Sequence, residues 1–193
     1  MFNDRSSLAR HLATRRSGKP RDMVPPGPTA EELDAMIALA ARTPDHGKLA
    51  PWRFVVIEDR IAFAALLDRA YRAANPDARD GQIEAALGMA RDGEALVIVV
   101  SAPVLPHKIP LWEQQLSAGA ATMNLLHAAH GMGFVAGWLT GWPAYDPMVK
   151  ATFAPEDEER IAGLVYIGSP GRPLEERPRP ELDSVRSRWP ATA

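Results

Sequence analysis

The sequence contains no cysteine. Disulfides, thiolate nucleophiles and cysteine-ligated zinc or iron–sulfur centres are therefore excluded. Long apolar runs are missing too: stretches such as Ala95 to Val100 fall far short of the roughly 20 residues that span a bilayer. There is no Gly-x-Gly-x-x-Gly turn and no Walker loop, so a bound nucleotide would not be held in the Rossmann or P-loop manner. No Gly-x-Ser-x-Gly elbow supports a serine triad. Nor is there an excess of positive charge. The formal net charge is −2, which argues against the broad positive field that non-specific nucleic-acid binding needs.

What is present fits an ordinary globular protein. The chain has 193 residues, 46% hydrophobic and 24% charged, enough for one domain with a real core. We expect a single domain over 1–193, with an extended Pro- and Arg-rich tail from about residue 171. The opening stretch, Met1 to Arg21, is rich in Arg and Ser, as transit peptides are. Asp4 and Asp22 argue against that reading, and a cytoplasmic protein is expected.

Helical and strand signals mix along the chain. Leu8 and Leu12 suggest a helix over Ser7 to Arg16, stopped by Gly18-Lys19-Pro20. Thr29 and Glu32 fit a capping box ahead of a helix with the apolar stripe Leu33, Met36, Ile37 and Ala40. Thr43 to Pro51 must be a loop. Strands are expected at Phe54–Ile57, Ala95–Ser101, Phe134–Trp138 and Ile161–Ile167. The second of these, continuously apolar, reads as central and buried. Helices are expected over Ile61–Ala74, Gln82–Arg91 and Trp112–Gly131, and from Asp146-Pro147, an N-cap and N1 pair, towards Phe153. This mixture is α+β or α/β.

Two cationic clusters stand out. Arg15-Arg16-Ser17 with Lys19 combines guanidinium forks and a hydroxyl, chemistry suited to a phosphate monoester, although basic residues also complement helix C-termini. Arg42-Thr43-Pro44-Asp45-His46, followed by Pro51-Trp52-Arg53-Phe54, places His46 in a loop, where functional residues concentrate. His127 and His130 share one helix face, but a metal site needs further ligands, and none is expected. The five tryptophans could be core or could wall a flat aromatic cofactor.

Taken in order, Arg15-Arg16-Ser17, Arg42-Thr43-Pro44-Asp45-His46, Pro51-Trp52-Arg53-Phe54, Lys108-Ile109-Pro110, Trp112-Glu113-Gln114, Ser117-Ala118-Gly119 and Gly137-Trp138 resemble the nitroreductase family. Within it the similarity is to the minimal YdjA-like branch of NAD(P)H nitroreductases, from about Leu8 to about Pro170. The resemblance implies a homodimer of α+β subunits, each with a central mixed sheet flanked by helices, and FMN in a cleft at the dimer interface. It implies that Arg15, Arg16 and Ser17 grip the FMN phosphate and ribityl chain, with Lys19 near the flavin pyrimidine edge. Arg42 and His46 would reach the FMN of the other subunit. Trp138, Leu139 and Thr140 would line the flavin, Arg177 and Arg179 would complete the phosphate site, and the stretch from Ala128 to Gly133 would contact the nicotinamide nucleotide.

The implied activity is an FMN-dependent oxidoreductase. NADH or NADPH would give hydride to flavin N5, and a small planar acceptor such as a nitroaromatic, quinone or enone would take it up. No catalytic side chain is expected beyond an electrostatic role for Lys19. Leu139 departs from the Arg of the close branch, while Thr140 keeps the hydroxyl of the usual Ser. That departure leaves open an alternative, a flavin-binding or flavin-storing protein of the same fold with little turnover. No nucleic-acid or membrane partner is expected.

Overall fold

A computed structural model describes residues 1–189. Its elements follow the order α1 (Leu8–Thr14), β1 (Met23–Val24), α2 (Ala30–Ala40), β2 (Trp52–Val56), α3 (Arg60–Ala74), α4 (Asp80–Arg91), β3 (Ala95–Ser101), α5 (Leu111–Gly131), β4 (Val135–Leu139), α6 (Pro147–Phe153), β5 (Arg160–Pro170) and α7 (Leu182–Val185). The five strands form one sheet in the order β1-β5-β3-β2, with β4 also paired to β5. Every pairing among the described residues is antiparallel. The architecture is α+β as expected, but the expected mixed sheet is corrected to an antiparallel one. The sequence shows strands without their directions; here β5 runs opposite to each of its three neighbours.

Period-two alternation divides the core between the two faces of the sheet. Leu96, Ile98 and Val100 of β3, with Leu164 and Tyr166 of β5, pack against Phe63, Leu66 and Leu67 of α3 and Val149 of α6. Val97 and Val99, with Val165 and Ile167, face Leu33, Met36 and Ala40 of α2 and Leu125 and Leu126 of α5. Both faces of β3 are therefore covered, which accounts for its unbroken apolar sequence. The long α5 lies along the second face.

Local signals explain the helix starts. At α2 both capping-box bonds form: Glu32 N donates to Thr29 Oγ1, and Thr29 N donates to the Glu32 carboxylate. Asp146 accepts from Met148 N and Val149 N ahead of Pro147 in α6. Ser7 caps α1. The apolar pair that suggests this helix faces outward, however: Leu8 and Leu12 are exposed, and the buried residue of α1 is His11.

His11 docks α1 onto α5 through imidazoles. Its Nε2 lies 2.8 Å from His127 Nδ1, and its ring centroid is 5.7 Å from that of His130. His130 Nε2 accepts from Ala136 N at 3.2 Å, tying the same cluster to β4. Among the described residues no group of three or more His, Asp or Glu side chains is arranged to hold a metal ion. Burial holds all three histidines below the usual imidazole range, with Arg15 adding to the effect, and His130 is pushed down to about 4.

These shifts make α1 docking sensitive to acid. The folded chain keeps the imidazoles neutral where the unfolded chain protonates them, so their contribution is complete above about pH 6.5 and is lost as pH falls towards 4. For His130 the loss amounts to about 3 kcal/mol. Urea unfolding should therefore show stability declining from pH 7 to pH 5. His130→Leu, although less stable at pH 7 because Ala136 N–H loses its acceptor, should decline less steeply.

Candidate active site

A cleft of about 490 Å³ lies where the chain leaving α1 meets the end of β4 and the segment after β5. Its first wall is Arg15 to Lys19. Beyond α1 the backbone becomes extended at Arg15 and runs beside β4, with Gly18 N donating to Ala136 O at 3.1 Å. This approach depends on glycine. A Cβ on Gly137 would sit 2.5 Å from Gly18 O, and one on Gly18 would sit 2.5 Å from Val135 Cγ2. Two glycines thus let a cationic segment lie close beside β4.

Trp138 and Leu139 form the second wall. The Trp138 indole lies flat enough over β5 that a Cβ on Gly163 would overlap it, and its Nε1 donates to Ala162 O at 2.9 Å. One edge of the ring is thereby fixed and the rest stays partly exposed. Leu139 lines the cleft and also packs against the core, so an apolar side chain suits its position. Thr140 lies just past the end of β4, outside the lining.

The segment after β5 supplies the third wall, with Arg172, Glu175, Glu176, Arg177 and Arg179. Arg16 anchors it. The Arg16 side chain is buried, and its Nε and Nη2 donate to Glu175 O at 3.0 and 2.9 Å. Nε also lies 3.2 Å from the Glu176 carboxylate. Asn3 brackets the Arg16 backbone through both its N–H and its carbonyl. Arg16 lines the cleft, and Nε and Nη2 of its guanidinium are engaged by the chain itself, tying the segment after β5 to the first wall.

Arg15 behaves differently. It is half-buried, reaches Ser17 Oγ at 3.3 Å, and is held below the usual guanidinium range by burial, then by the like charges of Arg179 and Arg16. Positive groups from opposite walls thus converge beside a hydroxyl. That donor set matches a phosphate monoester, whose dianion would relieve the repulsion and accept bidentate bonds. Lys19 lies further along the same wall, 3.7 Å from the Glu175 carboxylate. Arg172 pairs with Asp22 at the mouth.

Arg42 and His46 do not line this cleft. They sit in the loop after α2, which is fastened to α5. Asn124 Nδ2 donates to Thr43 Oγ1 and Ser117 Oγ donates to Pro44 O, both at 2.7 Å. Asp45 accepts from Leu49 N and Ala50 N. These bonds sustain positive φ at Gly47, Lys48 and Ala50, conformations that cost energy for residues other than glycine. The result is a rigid platform presenting Arg42 and His46 to solvent. His46 Nδ1 lies 2.7 Å from the Glu113 carboxylate. The stretch from Ala128 to Gly133, expected to meet a nicotinamide, also lies outside the lining: Ala128, Ala129 and His130 are buried, while Gly131 and Gly133 are exposed.

Several contributors carried little sequence signal. Arg172, Glu175 and Glu176 enter the lining because β5 delivers the following segment to the cleft, and Asp22 enters it from the turn before β1. Gln114 acts structurally, bonding Val104 N and Ile109 O to hold the loop before α5.

Comparison with known proteins places this geometry. The Nitroreductase family profile matches residues 12–169. YdjA of Escherichia coli strain K12, provisionally named an NAD(P)H nitroreductase, is 35% identical over 161 residues, covering 82% of this chain and 86% of its own. A nitroreductase-like family protein from Bacillus cereus superimposes with a TM-score of 0.78 at 20% identity, over 96% of this chain and 97% of that one. A nitroreductase from Bacteroides fragilis, solved with FMN bound, gives 0.63 at 21% identity, over 88% and 92%.

The close approach of the cationic strand to β4 can be tested through its glycines. Gly137→Ala should cost about 1–3 kcal/mol in urea unfolding, because the obstructing atom is a backbone oxygen. Gly88→Ala, inside α4 with nothing within 4 Å of the new methyl, should be neutral or stabilising by up to about 1 kcal/mol. Equal effects at the two positions would show that packing at Gly137 is not what fixes the wall.

Proposed function

This chain belongs to the nitroreductase family, and on that premise we propose that it is an FMN-dependent NAD(P)H oxidoreductase acting as a homodimer on small planar acceptors, nitroaromatics, quinones or enones. The observation that carries the reading is the convergence of Arg15, Ser17 and Arg179 in a cleft that Trp138 also lines. One end suits a phosphate and the remainder suits a flat ring. Bound there, FMN would supply the two-electron chemistry that couples NADH or NADPH to the acceptor.

The chain's own residues have separate tasks in this reading. Arg15, Ser17, Arg177 and Arg179 hold the phosphate end. Arg16 holds the segment that carries the last two. Trp138 and Leu139 keep the ring's surroundings dry on one side. Lys19 places a positive charge on the cleft wall, where it favours an anionic reduced ring. Arg42 and His46, rigid and remote from the cleft in their own subunit, serve the site of a second copy. The exposed apolar residues Leu8, Leu12, Trp112 and Leu116 offer the surface a second copy would cover. A flavin-storing protein with little turnover is favoured by one observation only, the apolar Leu139 within the lining. Steady-state oxidation of NADH or NADPH with a quinone separates the two, since a storage protein would bind FMN and turn over negligibly.

Arg15→Ala should weaken FMN binding by about 1.5–3 kcal/mol, the loss expected for one charge-assisted contact, read by fluorescence titration. Neither Arg15→Ala nor Arg42→Ala dimers should bind FMN as wild type does, but mixed dimers of the two should recover one site of two. Recovery of none, or a stable monomer that binds FMN normally, contradicts sharing between subunits. Lys19→Ala should make the potential of the bound flavin more negative, and an unchanged potential would remove Lys19 from its role.

A further inference from the structure

We propose that Glu113 is a positioning residue for the site: it fixes the tautomer and orientation of His46, so that the imidazole presents Nε2 to the FMN held by a second copy of the chain. The inference rests on the reading above that His46 serves the partner's cleft. It adds a residue with its own task, carried by the 2.7 Å contact between His46 Nδ1 and Glu113 Oε2.

A carboxylate can only accept, so the bonded Nδ1 must carry the hydrogen. The other nitrogen, Nε2, is then the acceptor of a neutral ring or the outward donor of a protonated one. Left alone, the ring could take either tautomer and rotate. Glu113 lies in the first turn of α5, where the helix dipole favours its charge. It also belongs to a row. Glu113, Ser117 and Asn124 stand on one face of α5 at spacings of four and seven residues, and each holds a successive part of the loop: His46, Pro44 and Thr43.

Ser117 holds the Pro44 carbonyl and Asn124 the Thr43 hydroxyl, and Glu113 holds the His46 side chain. Both members of the pair are well exposed, with side chains 65% and 45% accessible, so the pair adds little to stability. Its geometry therefore matters for what His46 meets outside its own chain. The neighbouring acid does not compete, because both Asp45 oxygens are taken by backbone N–H groups.

The test uses the full chain. In ¹⁵N-histidine spectra the neutral His46 ring should be protonated at Nδ1 in wild type and in Glu113→Gln, whose amide oxygen can still accept, and should shift to the Nε2-protonated form in Glu113→Ala. Glu113→Ala should bind FMN roughly tenfold more weakly than wild type, the loss of about one hydrogen bond's positioning, with Glu113→Gln in between. In a His46→Ala background Glu113→Ala should cause no further loss. An unchanged tautomer in Glu113→Ala, or an equal loss of FMN affinity with and without His46, overturns the proposal. A wild-type chain that binds no FMN overturns the functional reading itself. A wild-type chain that binds FMN, with Glu113→Ala binding it equally well, overturns only the role of Glu113.

Discussion

The backbone of Gly18 lies against Gly137 so closely that a Cβ on Gly137 would meet the Gly18 carbonyl oxygen, while a Cβ on Gly18 would meet the Val135 side chain. One hydrogen bond, from Gly18 N to Ala136 O, secures the contact. Everything in the cleft follows from it. The strand from Arg15 to Lys19 becomes a wall of the sheet, its side chains share a hollow with Trp138 and Leu139, and Arg16 turns inward to catch the chain returning from β5. Three segments distant in sequence are joined by two glycines and one buried guanidinium.

A cluster of cations inside such a hollow is costly unless something offsets it. Burial and the neighbouring charges of Arg179 and Arg16 work against the charge on Arg15, and the acids of the tail answer only part of the cleft: Glu176 faces Arg16, and Glu175 faces Lys19 at its exposed end. The repulsion is a stored preference for an anion. The same argument separates the two adjacent arginines. Arg16 is engaged by the Glu175 carbonyl and the Glu176 carboxylate, whereas Arg15 is left facing Arg179.

Much of this was legible in the sequence, for identifiable reasons. Capping is local chemistry, so Thr29 with Glu32 and Asp146 with Pro147 fix their helix starts without reference to the rest of the fold. Burial on both faces leaves an unbroken apolar run, so β3 reads as central. What could not be read depends on the third dimension. Leu8 and Leu12 have helical spacing, but spacing does not say which face is inward, and His11 takes that place. Adjacent arginines look alike until one meets a backbone carbonyl 159 residues away. The tail's Arg and Glu residues resemble a solvated extension until β5 carries them to the cleft, and strand direction has no signature in a composition pattern.

The account's central claim is that this cleft is built for a flavin mononucleotide, with the phosphate at the arginine end and the ring beside Trp138. Mass spectrometry of the cofactor released by denaturing the purified protein, reconstituted with an equimolar mixture of FMN and FAD, tests it most directly. The account predicts FMN alone, approaching one per chain. FAD as the retained species, or no flavin retained, would contradict it.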